Sequence, residues 1–330
     1  MHRGNEMSRL LTSTVAVLVV AVLGAVALDV PAAASGAPAP DTVDAAGRST
    51  YPGDFVRVLQ LIADLRADPP TEPLVCLLGG SSARECTVSD RSWSRAVSRL
   101  RGHEVRCVNL GSKHRLFTQD RRLVRYLPAG TGVVFIGVNP GRFCNGRSDP
   151  PVVLPPPRAA SSRGLDRRGL RSSTVPWTDQ RKRRAARLWM VRRWPKFRRR
   201  WKNNMRVLEL VCRESQRRGQ HPVIIDLPRN MAIIGRQLDQ PLRLYHRACR
   251  RLAARLGIPY VQFQAGLGLT NRDFSDLWHT VKSGQVKWER ALVKTTARLL
   301  KKYAIEPPPT PSPDPDAGPS GPDPPATPEG

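Results

Sequence analysis

Ser81, Asp276 and His279 have the side chains that acyl-transfer chemistry uses, and each lies in a short polar motif. Ser81 stands in Gly79-Gly80-Ser81-Ser82-Ala83-Arg84-Glu85, directly after the apolar run Leu74 to Leu78. Small residues let the backbone turn sharply there, placing a hydroxyl near the first turn of a helix, where unpaired N–H groups favour a developing oxyanion. Asp276 and His279 stand three apart in Asp276-Leu277-Trp278-His279. In one turn of helix the carboxylate would orient the imidazole and stabilise its protonated form, which makes His279 a candidate general base. In Asn109-Leu110-Gly111-Ser112 a glycine N–H can approach a ligand with no side chain intervening. In Gly137-Val138-Asn139-Pro140-Gly141 the Asn139 amide is a donor for a negative oxygen. Each motif has a plainer reading: Gly-Gly-Ser-Ser and Asn-Pro-Gly also make turns, and an Asp beside a half-buried His also makes a cap. Ser82 is a second hydroxyl beside Ser81.

The elements that must position these groups are five short apolar runs: Leu74 to Leu78, Val105 to Leu110, Gly132 to Val138, Pro222 to Leu227 and Ile258 to Phe263. They alternate with helical spacing over Phe55 to Leu65, Ser89 to Leu100, Leu244 to Leu256 and Val286 to Tyr303. Runs without polar alternation suit a parallel sheet covered on both faces. The expected fold is a three-layer α/β/α sandwich of about five parallel strands. Ser81, Gly111 and Asn139 then follow the first three strands and Asp276 and His279 follow the fifth, so all converge on the carboxyl edge, where open α/β sheets bind ligands.

In these four blocks the chain resembles the SGNH hydrolases, also called GDSL-like, over roughly Leu74 to Lys302. The resemblance implies a flavodoxin-like sheet, Ser81 as nucleophile, His279 as base and Asp276 as its orienting group. It also implies an oxyanion hole of the Ser81 and Gly111 N–H groups and the Asn139 amide, with no cofactor. Gly80 departs from the family by standing where its Gly-Asp-Ser keeps the acid. The Gly-x-Ser-x-Gly elbow of α/β-hydrolases is absent.

Lys plus Arg total 54 against 27 Asp plus Glu, a net charge of +27 that attracts polyanions. More than half of it is local: Arg158 to Arg206 holds 18 Lys or Arg against only Asp166 and Asp179. With Pro150, Pro151, Pro155, Pro156 and Pro157 at its entry, the stretch 150–206 reads as a basic insertion after the third strand. Pro195 suits a helix's first turn, with Phe197, Trp201, Met205, Leu208 and Cys212 recurring on one face. Arg181 to Lys202 is either an anionic-polymer or membrane-surface patch with Trp189, Trp194 and Trp201 as anchors, or a solvated lid whose aromatics are core contacts.

Arg3 and Arg9, the apolar Leu10 to Leu28 and the small residues Pro31 to Ala37 make residues 1–34 a secretory signal or membrane anchor. Residues 35–53 and 306–330 have too few apolar side chains to offset ordering and read as a linker and a Pro-rich tail around a body of 54–305. Outside the cytosol Cys76, Cys86, Cys107, Cys144, Cys212 and Cys249 would be free to pair, although Cys76 and Cys107 sit in apolar runs as buried thiols do. Cys144 follows the third strand, where it reads as a structural or disulfide cysteine ahead of a thiol that serves the site. No zinc-ligand spacing appears, and His103, His114, His221 and His246 are scattered. The expectation is an exported serine ester hydrolase acting on acyl or acetyl groups of a carbohydrate or lipid. The alternative is an inactive hydrolase fold that binds anionic envelope polymer or membrane. Export, local charge and the absence of a nucleic-acid module argue against a nucleic-acid partner.

Overall fold

Five strands pair in parallel in the order β2-β1-β3-β4-β5: β1 (Leu74–Gly79), β2 (Arg106–Gly111), β3 (Gly132–Val138), β4 (His221–Asp226) and β5 (Tyr260–Gln262). A computed structural model describes residues 53–130, 132–146, 151–158 and 175–307. The segment read as a signal or anchor, the linker up to Pro52, the middle of the basic stretch and the Pro-rich tail beyond Pro307 lie outside the described residues. The register sets Leu78 beside Leu110 and Ile136, and Ile225 beside Ile136's neighbour Gly137 and Val261. Cys76 and Leu78 face one core while Val75 and Leu77 face the other, which is why these strands lack polar alternation.

One face is covered by α1 (Gly53–Ala67), α4 (Phe117–Tyr126), α6 (Trp194–Arg217) and α8 (Asp239–Leu256). The other is covered by α3 (Asp90–Arg101) and α9 (Lys282–Lys302), through Trp93, Val97, Trp288 and Leu292. Each such side chain contributes about 1.5–3 kcal/mol when taken from water. The short helices are α2 (Ser81–Arg84), α5 (Asp179–Leu188) and α7 (Met231–Ile234). Local signals fix the ends: Ser89 Oγ accepts from Ser92 N at 2.9 Å to start α3, and Gly102 ends it with φ 75°. The three-layer fold and the parallel sheet agree with the sequence reading, and this strand order is the flavodoxin-like one.

Three expectations change. Ile258 and Pro259 lie outside β5, because Ile258 N turns back to Ala253 O at 3.0 Å to close the end of α8. The helix α4 is absent from the sequence reading, since Phe117, Leu123 and Val124 are interrupted by Gln119, Asp120, Arg121 and Arg122. The basic stretch ends inside the core fold rather than as an excursion: α5, a π turn (Trp189–Arg193) and α6 follow without a break, and α6 is the crossover that returns the chain to β4. Pro195 does fall in the first turn of α6, and Phe197, Leu208 and Cys212 are buried. Trp189 is buried, and the half-buried Trp194 and Trp201 each pack one side against the same core, Trp194 stacked on Phe197 at 5.5 Å.

All six cysteines are free and buried, so the structure pairs none of them. Among the described residues no helix is long and apolar enough to cross a membrane.

Candidate active site

In this strand order the switch point lies between β1 and β3, and the loops that leave their carboxyl ends carry Ser81 and Asn139. The chain ends β1 at Gly79 and enters α2 at once, with Ala83 N and Arg84 N both bonded to Gly80 O at 3.0 and 3.2 Å. That leaves Ser81 at the helix's first position, half-buried. Its hydroxyl lies 2.8 Å from His279 Nε2, and His279 Nδ1 lies 2.6 Å from Asp276 Oδ2. The structure therefore brings together three side chains separated by up to 198 residues.

Asp276 and His279 do not share a turn of helix, which corrects the sequence expectation. They sit in a tight loop closed by a bridge between Phe274 and Thr280, and Asp276 Oδ1 accepts from Trp278 N at 2.7 Å and His279 N at 2.9 Å. Such an aspartate-centred turn sets the same three-residue spacing as a helix by a different route. Burial alone would raise the Asp276 carboxyl. The hydrogen bond and charge of His279 and the two backbone donors outweigh it and hold the carboxyl below its usual range. An ionised carboxylate can only accept, so His279 Nδ1 carries the proton and Nε2 offers its lone pair to the Ser81 hydroxyl. The His279 side chain is 24% exposed, so solvent and ligand reach the pair.

The groups assigned to the oxyanion divide. Asn139 starts the 3-10 turn Pro140–Cys144: its Oδ1 accepts from Arg142 N at 3.1 Å and its Nδ2 donates to Ser82 Oγ at 3.0 Å. The amide thus lies beside the residue next to Ser81, with one of its two hydrogens engaged. Gly111 is placed differently from the sequence expectation. Its N–H donates to Asn109 Oδ1 at 2.9 Å and is already satisfied. A Cβ there would stand 2.4 Å from Arg84 N, so the glycine lets α2 pack directly on the end of β2.

Residues that the motifs did not signal hold the site. Asn230 Nδ2 donates to Asp276 O at 3.3 Å and Asn230 N to Leu277 O at 3.0 Å, tying the Asp276 loop to the start of α7. Lys182, buried on α5, donates to Phe274 O at 2.8 Å and Asn271 Oδ1 at 2.9 Å. On the Ser81 side, Arg84 Nη1 reaches Asp54 Oδ2 of α1 at 2.6 Å, and Thr280 Oγ1 donates to Glu85 O at 2.5 Å, linking the two loops. Arg142 ties Gly137 O to Asp120, at 2.6 and 2.5 Å, and lies over the Phe117 ring. The Asn230 and Lys182 contacts join residues 46 and 92 positions apart, a separation no local pattern reveals.

Gly80 has φ −77°, open to any residue, and a Cβ there would meet only the Arg142 side chain, at 3.8–4.0 Å. The Arg142 Nε facing that space is buried and has no partner. Cys144 is not a reactive thiol. Burial pushes it up to about 11 in spite of Arg193, Lys196 and Arg200, and its Sγ is turned to Pro140 O and Arg193 O.

No family model and no curated protein matches the chain. Among solved structures it is similar to a platelet activating factor protein from Streptococcus pneumonia, with 11% identity, 76% of this chain and 92% of that one covered and a TM-score of 0.43. It is similar to a member of the lipolytic G-D-S-L family from Veillonella parvula, with 13% identity, 68% and 98% covered and a TM-score of 0.42. It is also similar to an acetyl-xylooligosaccharide esterase from Geobacillus, with 10% identity, 67% and 93% covered and a TM-score of 0.43. At these identities any catalytic assignment rests on the chain's own geometry.

Proposed function

We propose that the protein is a serine-dependent carboxylic-ester hydrolase. The observation that supports this is the continuous chain Ser81 Oγ to His279 Nε2 to His279 Nδ1 to Asp276 Oδ2, with steps of 2.8 and 2.6 Å across the two hydrogen bonds. In this reading the Ser81 oxygen attacks the ester carbonyl carbon while its proton passes to His279 Nε2. Asp276 stabilises the imidazolium and keeps it facing Ser81. The carbonyl electron pair becomes an oxyanion that the Ser81 N–H and the second hydrogen of Asn139 Nδ2 stabilise. Collapse expels the alcohol, which takes the proton from His279. Water, deprotonated by His279, then attacks the acyl-serine, and the acid leaves as Ser81 regains its proton. The acyl or acetyl group of a carbohydrate or lipid is the substrate class, and the N-terminal pattern of Arg3, Arg9 and the apolar Leu10 to Leu28 supports a reading in which the work is done outside the cytoplasm.

Hydrolysis of p-nitrophenyl acetate by the purified full chain tests the reading. Ser81→Ala and His279→Ala are expected to remove turnover by at least about 10³-fold, while Ser82→Ala keeps it within about tenfold. Equal rates in all four proteins would leave only a binding role for the fold.

A further inference from the structure

A groove of about 480 Å³ runs between α6 and α8. Lys202 and Arg206 stand one turn apart on one wall, and Arg247 and Arg251 one turn apart on the other. Successive cations on each wall are therefore about 6 Å apart along the helix. All four are exposed, and among the described residues none has a carboxylate partner. Glu209, the groove's acid, is taken by Arg213 and Arg255, at 2.9 and 2.5 Å. Four like charges around one concavity concentrate anions there. Between the walls, Trp201, Met205, Leu244 and Leu252 give the groove an apolar floor.

The α6 wall of the groove is tied to the turn that follows Asn139. Asn204, beside Met205, donates to Phe143 O at 3.1 Å and Asn145 O at 3.2 Å in the turn that Asn139 begins. Arg200 Nη1 donates to Cys144 O at 2.9 Å. A second hollow of about 470 Å³, lined by Asn145, Gly146, Arg199, Arg200 and Asn203, lies at that end. Cations thus continue from the groove to the loop that carries Asn139.

We infer that this track binds an anionic polysaccharide, the polymer whose esters the site hydrolyses; the hydrolysis rests on the serine-hydrolase reading, the binding does not. Carboxylates along a glycan match guanidinium groups on both walls, which bind them bidentately. The C–H faces of sugar rings suit a floor that is mostly aliphatic with one Trp at its end. A single-stranded nucleic acid calls for a series of aromatic platforms, and this floor offers Trp201 alone. A bilayer calls for protruding apolar side chains, and the exposed Leu100, Val153, Val175 and Val191 all lie outside the groove.

Equilibrium binding of polygalacturonate to the full chain carrying Ser81→Ala tests this without any turnover. Salt-dependent binding is expected, weakened at least about tenfold by Lys202→Glu with Arg247→Glu and Arg251→Glu, and less by Arg247→Gln with Arg251→Gln, at an unchanged melting temperature. Equal binding by the groove variants and their parent would overturn the proposal. Tighter groove-dependent binding of an oligothymidylate or of phosphatidylglycerol vesicles would overturn it as well. Polygalacturonate binding that survives in a chain without esterase activity supports the groove and removes only the hydrolase reading.

Discussion

Asn139 and Gly80 are the two residues beside Ser81 whose substitution says most about the site. Asn139→Ala removes a donor from the oxyanion while Ser81, His279 and Asp276 stay in place. The expected result is a fall in kcat of about 10²–10³ with little change in KM, read from initial rates on p-nitrophenyl acetate. At Gly80 the backbone accepts a side chain without strain, and the neighbouring Arg142 Nε is buried without a partner. Gly80→Asp therefore places a carboxylate against an unsatisfied guanidinium N–H. The expected outcome is a folded protein with a raised melting temperature, by an amount corresponding to about 1 kcal/mol. A clear loss of stability would show that the space beside Arg142 is not available. The missing acid thus reads as a vacant place in a site whose proposed reacting groups do not depend on it.

At the scale of elements, the geometry of the site depends on how α2 and the Asp276 loop are held. Gly111→Ala drives a methyl group into the Arg84 backbone, 2.4 Å away, so α2 and with it Ser81 must shift. Destabilisation of about 1–3 kcal/mol in urea unfolding is expected, together with reduced turnover. Lys182→Met keeps most of the buried volume but leaves Phe274 O without that donor, and should lower kcat and stability together by loosening the loop before Asp276. The strands were legible because both sheet faces are covered, so Leu74 to Leu78 or Gly132 to Val138 appear as unbroken apolar runs. The candidate reacting groups were legible because each sits in a local turn motif, Ser81 at the end of β1 and Asp276 with His279 in the loop between Phe274 and Thr280. The rest was not legible, for physical reasons. The Asp276 spacing fits a helical turn and an aspartate-centred turn equally, and only backbone donors to Oδ1 distinguish them. Gly111 looks the same in sequence whether its N–H is free or bonded to Asn109. Asn230 and Lys182 act from distant elements with no periodicity of their own.

At the scale of the whole molecule, two features govern its response to solution conditions. His246 lies under Arg229 and Tyr260, 3.0 and 2.7 Å away, close to Asp226, Tyr245 and Arg250. Burial pushes it down to about 4, with Arg229 and Arg250 adding to the effect and Asp226 opposing it. Between its ordinary 6.5 and about 4, the unfolded chain binds a proton that the folded chain refuses. Acid therefore costs stability across that window and none above it. The urea midpoint should fall from pH 7 to pH 4.5, and fall less in His246→Gln. The second feature is charge: the cations of α6 and α8 are far apart in sequence, so the stretch Arg181 to Lys202 holds only Lys202 of the four cations that packing assembles around the groove. The site too exists only in the folded whole, since Ser81 and His279 meet across 198 residues. Labelling of the native protein with a serine-directed fluorophosphonate, followed by peptide mass analysis, tests that most directly. The account predicts one label per chain, on Ser81, retained in Ser82→Ala and lost in His279→Ala and in urea. Label on Ser82, or an unlabelled folded protein, would contradict it.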